Sequence, residues 1–317
     1  MRPDVAVVTP TLRRPEGLER ALRSVFAQTG VTDRLREIVV ADNDPAASAL
    51  SVIEALRALS PVPLVYVHAP VPGVATARNT ALSATEAPLI AFLDDDEAAE
   101  PGWLQALIAV QAQTEADVVF GPITGKAPDG AGPAQAYLDR FFGREGPNVS
   151  GSIEHVYGSG NSLMVRATAL PGAAPFDTDA DHTGGEDDAL FRELRARNGR
   201  FAWAADAWVT EYAPAHRATL AYAYRRAFAY GQGPSQTAVA ERRPLAVLRW
   251  MVIGAGQAAI YGAAAGLMWL LRKPGRFAMT DRAVRGLGKV LWMDAFAPAL
   301  YGRHTAKREA ISPPAAG

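Results

Sequence analysis

The first 125 residues alternate short β-branched runs with helical stretches, and this alternation constrains the fold more than any other feature. The runs are Asp4–Thr9, Glu37–Ala41, Leu64–His68, Leu89–Leu93 and Val118–Ile123. Between them lie Gly17–Gln28, Ala47–Leu59, Val74–Ala84 and Trp103–Gln113, with Leu18, Leu22, Val25 and Phe26 at helical spacing. Strand–helix alternation predicts the α/β class, a Rossmann-like, mainly parallel sheet flanked by helices on both faces. Ligands in such sheets bind beyond the carboxyl ends of the strands. A net charge of -1 gives no bulk attraction to nucleic acid. The absence of cysteine excludes disulfides, thiolate metal sites and a cysteine nucleophile.

Beyond this half, Thr124 to Gly185 is rich in Gly, Pro and Asp and reads as long loops. A helix is expected from Glu186, a strand over Phe201–Thr210 and a helix over Thr219–Tyr230. Composition shifts near Pro244, and Trp250–Leu271 runs 22 residues without a charge. As a helix this stretch spans roughly 33 Å, the thickness of a bilayer core. Arg242, Arg243 and Arg249 precede it, and Arg272, Lys273 and Arg276 follow. A spanning helix and a buried or dimer-interface helix are both open. The basic flanks at both ends favour a helix or re-entrant hairpin lying at the cytoplasmic leaflet. The start, MRPDVAVVTPTL, lacks the apolar core and cleavage site of a signal peptide, so a cytosolic start is expected.

Polar clusters fall at three strand ends: Thr9-Pro10-Thr11, Asp42-Asn43-Asp44 and Asp94-Asp95-Asp96. Each alone is also turn chemistry; together they outline one pocket. Three adjacent carboxylates repel unless a cation compensates, and Mg²⁺ or Mn²⁺ prefers such oxygen ligands. The same run can equally cap the helix near Trp103. Glu186-Asp187 precedes a helix, where N-terminal capping competes with a catalytic role.

With these motifs in view, the chain resembles a family 2 glycosyltransferase with the GT-A fold. The resemblance rests on VVTPTLRRPEGLERALRSVFAQ, VVADND, GVATARNTAL, FLDDDE, GSGNSLMVR and GGEDDALF, in that order. RRAFAYGQ and RGLGKV in the tail look most like the ExoM-like exopolysaccharide glucosyltransferase branch. The resemblance implies that Pro10, Thr11 and Arg13 border the nucleotide and that Asp42 pairs with a uracil ring. It implies a donor-site arginine in Arg78. Asp94 and Asp96 become the outer positions of a D-x-D motif, contacting ribose and metal, with Asp95 between them. Gly158, Asn161 and Ser162 fall near the acceptor. Asp187 becomes the general base and Glu186 its neighbour, and His216 a late ligand of metal or diphosphate.

The implied activity is inverting, metal-dependent transfer from a nucleotide-diphosphate sugar, a UDP-sugar first, to a lipid-linked saccharide. The implied setting is surface-glycan synthesis at the cytoplasmic face of the bacterial inner membrane. No Q-x-x-R-W motif is present, which favours one sugar per encounter over polymerisation. The expected layout is a glycosyltransferase domain over 1–235, divided at 125, and a membrane-associated helical region over 236–317. A nucleotidyltransferase and a non-catalytic nucleotide- or saccharide-binding component are the competing readings. Homo-oligomerisation is left open.

Overall fold

The computed structural model describes residues 5–31, 33–182 and 184–298. Asp4, the expected start of the first strand, and the residues after 298 lie outside them. The first half forms β1 (Val5–Thr11), α1 (Pro15–Phe26), β2 (Leu35–Asp42), α2 (Leu50–Leu56), β3 (Leu64–His68) and α3 (Val74–Ser83). β4 (Leu89–Phe92), β5 (Glu97–Ala99), α4 (Trp103–Thr114), β6 (Val118–Phe120) and β7 (Ile123–Lys126) follow. Next come α5 (Gln135–Phe142), β8 (Gly151–Ile153), β9 (Ser162–Val165), α6 (Arg166–Ala169) and α7 (Glu186–Ala196). The chain continues through β10 (Phe201–Trp203), β11 (Val209–Tyr212), α8 (Leu220–Ala240), α9 (Pro244–Leu270) and α10 (Arg276–Val290).

An eight-stranded sheet has the order β3-β2-β1-β4-β9-β6-β10-β8, and β5-β11-β7 form a second, three-stranded sheet. β1 runs parallel to β2 and β4, and β2 to β3. Every residue of β1 is buried, because both faces are covered. Val5 and Val7 join a core with Leu18, Leu22 and Leu104, whereas Ala6 and Val8 join one with Ala77, Phe92 and Phe120. α1 forms because Leu18, Ala21, Leu22 and Val25 make one buried stripe, with Pro15 at its first turn.

Three expectations need correction. The run Val118–Ile123 is two strands in different sheets, since Gly121-Pro122 interrupts it and proline has no N–H for a ladder. The Pro122 carbonyl instead accepts from the Val209 N–H and the Asn161 amide. Phe201–Thr210 likewise splits, at a turn where the Ala207 N–H bonds the Ala204 carbonyl. The stretch read as loops, Thr124 to Gly185, contains α5, α6, β8 and β9. β9 is four residues long, too short to show a period, yet it sits antiparallel between β4 and β6.

The chain packs as two compact units, residues 1–125 with 143–212, and residues 126–142 with 213–317. This division differs from the expected 1–235 and 236–317. Residues 126–142 and 213–235 group with the C-terminal helices because α5 and α8 pack there: Leu138 and Ala223 share a core with Phe277. In this second unit Thr219 caps α8 by accepting from the Tyr222 N–H at 3.2 Å. Tyr137 donates to Asp281, and Arg285 pairs with Asp281 at 2.7 Å.

Candidate active site

All but one of the candidate residues lie in the first unit. The order β2-β1-β4 brings the three polar strand ends side by side. Thr11 Oγ1 donates to Asp95 Oδ2 at 2.7 Å, and the Leu12 N–H reaches the same oxygen at 3.3 Å. Arg14 Nη1 lies 2.8 Å from both Asp95 Oδ1 and Asp96 Oδ2. Asp95 is thus a buried anchor tying the acidic loop to the end of β1. Its carboxyl is raised by burial, against the pull of Arg14 and Thr11. Arg13 pairs with Asp44 at 3.0 Å. Pro10 opposes Ala41 across the β1–β2 ladder, one position before Thr11 faces Asp42.

Asp42 ends β2. It is fully buried, and its oxygens accept from the backbone N–H of Asp44 and Ala49 and from the Tyr66 hydroxyl. The carboxylate shapes the loop after β2. Beside it, Asn43 donates to the Ala69 and Val71 carbonyls and accepts from the Gly73 N–H, fixing the entry to α3. Asp181, distant in sequence, caps α3 through the Ala75 N–H and the Thr76 hydroxyl.

α3 carries Arg78 into the centre of the site. Its side chain is 5% exposed, forms a close hydrogen-bonded ion pair with Glu186, and lies 3.5 Å from Asp94 Oδ1. Burial works against its charge, but Asp94 and Glu186 more than offset this and raise its pKa. Burial raises Asp94 and Glu186 in turn, with Arg78 opposing. One guanidinium therefore joins the two acidic runs.

Asp187 opens α7. Its Oδ2 accepts from the Ser159 N–H at 3.1 Å and sits 3.4 Å from where a Cβ on Gly158 would lie. Asp94 Oδ2 would meet a Cβ on Gly160 at 2.6 Å. The Gly158–Gly160 segment thus has both candidate carboxylates against it, and a side chain at Gly160 would displace Asp94. Asn161 and Ser162 follow. Both are fully buried. Asn161 accepts from the Trp103 indole and donates to the Pro122 and Ala207 carbonyls, and Ser162 donates to the Ser159 carbonyl. They hold the loop that Gly158 belongs to.

Three residues escaped sequence reasoning. Arg14 anchors the acidic run. Glu97, 2% exposed, accepts from the Asp94 N–H at 3.0 Å, and burial, then Asp94, push its pKa well up. Arg144 Nη2 donates to the Gly160 carbonyl at 2.6 Å. Burial lowers the Arg144 pKa, with Glu97 opposing. The signal for Glu97 was its place directly after the aspartates; nothing local marked Arg144. His216 belongs to the second unit, in the turn leading into α8.

Comparison with known proteins adds identity to this geometry. The family model "Glycosyl transferase family 2" matches residues 6–169. Succinoglycan biosynthesis protein ExoM of Rhizobium meliloti (strain 1021) is 35% identical over 223 residues, 70% of this chain and 71% of that protein. Glycosyltransferase AglE of Haloferax volcanii is 25% identical over 174 residues, 55% of this chain and 56% of that protein. The mannosyltransferase PcManGT from Pyrobaculum calidifontis, solved with GDP-Man and Mn²⁺, superposes with a TM-score of 0.60 at 21% identity, covering 92% of this chain and 88% of that one. Nucleotidyl transfer is thereby set aside. The chain belongs to glycosyl transferase family 2 and is a glycosyltransferase of the GT-A fold.

Proposed function

We propose that the chain transfers one sugar per encounter, with inversion, from a nucleotide-diphosphate sugar to a hydroxyl of a lipid-linked saccharide in exopolysaccharide or related surface-glycan synthesis. The observation that carries this reading is the placement of Asp94 and Asp187 against one glycine segment, joined through Arg78 and Glu186. The naming of a relative for succinoglycan biosynthesis supports the pathway class. The GDP-Man and Mn²⁺ of a fold neighbour support a nucleotide-sugar donor and a divalent metal.

The donor side fits a hard cation. Asp94 Oδ1 is buried with no hydrogen-bond partner. Among the described residues no three His, Asp or Glu side chains form a ready cage. An ion such as Mg²⁺ or Mn²⁺ takes one or two carboxylates and completes its shell with phosphates and water. Asp94 and Asp96 would hold it. When bound, it supplies charge neutralisation for the leaving diphosphate.

On the other side, Asp187 accepts the proton of the acceptor hydroxyl. The oxygen then bonds the anomeric carbon from the face opposite the diphosphate. The carbon–oxygen bond to the diphosphate breaks, and its electron pair leaves with that group. The Ser159 N–H keeps Asp187 turned toward the loop. Arg78 and Glu186 orient the base and the donor carboxylate without touching the reacting atoms. The length and apolar character of α9 support the reading that this work is done at the cytoplasmic face of the inner membrane.

A hydrolysis assay over a panel of nucleotide sugars, with Mg²⁺, Mn²⁺ or a chelator, tests the reading. One or a few donors should be cleaved, and chelation should stop cleavage. Cleavage indifferent to chelation would remove the metal from the scheme.

A further inference from the structure

α9 is 27 residues long and almost wholly uncovered. Leu245 is 81% exposed, Ile260 68% and Leu270 79%. At about 100° per residue, Leu245, Leu248, Val252, Ala259, Ala263 and Leu270 share one face. The opposite face carries the buried Gly254 and Ala265 and packs on α10. The two helices run antiparallel. A Cβ on Gly254 would lie 2.6 Å from the Gly286 carbonyl oxygen, and near the other end Gly275 approaches Met268. Small residues at these crossings let the backbones meet.

α10 is as charged as α9 is apolar. It carries Arg276, Arg282, Arg285 and Lys289; Arg285 lies over Tyr230 of α8, and the other three meet α9 at several heights. Arg276 lies over the Trp269 ring, Arg282 over Tyr261, and Lys289 Nζ bonds Gln257 at 3.0 Å. From Gln257 to Trp269 is a rise of about 18 Å. Tyr261, with Arg282 beside it, falls at the middle of the uncharged Trp250–Leu271 run. Were α9 to span a bilayer, Arg282 would be carried to the centre of the hydrocarbon, where a charge is costly. Laid flat, α9 turns one apolar face to the acyl chains and keeps the α10 cations together on the water side.

We infer that α9 and α10 form an in-plane hairpin that docks this glycosyltransferase onto a leaflet of anionic phospholipid. α9 enters the headgroup–acyl boundary, and Arg272, Lys273 and Arg282 meet lipid phosphates. Arg272, Lys273 and Arg282 are exposed, and their charge complements an anionic surface. The Trp269 ring beside Arg276 supplies the aromatic-plus-cation pairing favoured at such boundaries. The inference rests on the membrane association proposed above and adds its orientation and lipid class.

Because the chain has no cysteine, single cysteines at Leu248, Val252, Ala259, Ala263 and Leu270 can each carry one spin label in the full-length protein. Their depths in vesicles of phosphatidylcholine with phosphatidylglycerol should agree within the roughly 5–10 Å of the interfacial zone. Depths that instead follow residue number across the ~30 Å core would overturn the orientation while leaving membrane association standing. The triple variant Arg272→Gln, Lys273→Gln, Arg282→Gln should bind these vesicles roughly 10- to 100-fold more weakly. An unchanged affinity would remove the anionic lipid from the proposal. No vesicle binding, with a concentration-dependent dimer buried on the labelled face, would overturn both the inference and the membrane association.

Discussion

The two acidic runs look alike in sequence and are used differently. In Asp94-Asp95-Asp96, Arg14 and Thr11 bind the second member into the fold, Arg14 also reaches the third, and the first keeps a buried oxygen without a hydrogen bond. In Glu186-Asp187-Asp188, the first member is spent on Arg78, the second is steered by the Ser159 N–H, and the third is exposed. Each run thus divides into a member bound into the fold and a carboxylate proposed to act on substrate or metal. Arg78 touches both runs, through Asp94 in the first and Glu186 in the second.

The sharpest division is within the second run. Asp187→Asn removes the proton acceptor and should lower donor hydrolysis or transfer by on the order of 10²- to 10⁴-fold. Asp188→Asn, one residue away, should leave turnover close to wild type. Equal losses in both would dissolve the distinction between working and bystander carboxylates. Next in size is the shared cation. Arg78→Gln leaves Glu186 and Asp94 facing each other without compensation and should cost about 3–5 kcal/mol in urea unfolding. A variant as stable as wild type would mean that the two runs are not tied through Arg78.

The smallest expected effect concerns Glu97. Its folded pKa lies well above the ordinary 4.5, burial being the main cause. Above that ordinary value the unfolded chain has lost a proton that the folded chain still holds. Stability from this group is therefore greatest at low pH and falls as pH rises toward the folded pKa. Asp94, Asp95 and Glu186 are raised too and pull in the same direction. Glu97→Gln keeps an oxygen for the Asp94 N–H and should flatten part of that decline in unfolding experiments run across pH. An unaltered slope would assign the decline to the other carboxylates.

The first 125 residues were legible because their strands are buried on both faces and their helices carry regular stripes, so β1 to β4 follow the expected runs. The stretch after them was not. β8 and β9 are too short for a period to register, and their pairing depends on partners far away in the chain. Asp42, Asn161 and Ser162 show the site-level version of the same limit. Nothing in the sequence announces that the fold buries them and engages them in internal hydrogen bonds. Arg144 carries the opposite lesson: its contact with the Gly160 carbonyl is made by tertiary geometry that no local pattern announces.

The central claim is that Asp94 and Asp96 hold the donor while Asp187 acts on the acceptor. Calorimetric titration of a nucleotide diphosphate with Mn²⁺ into wild type, Asp187→Asn and the double variant Asp94→Asn, Asp96→Asn separates these roles. Binding should be unchanged in Asp187→Asn and lose its metal dependence in the double variant. Metal-dependent binding that survives in the double variant, or vanishes in Asp187→Asn, would contradict the assignment.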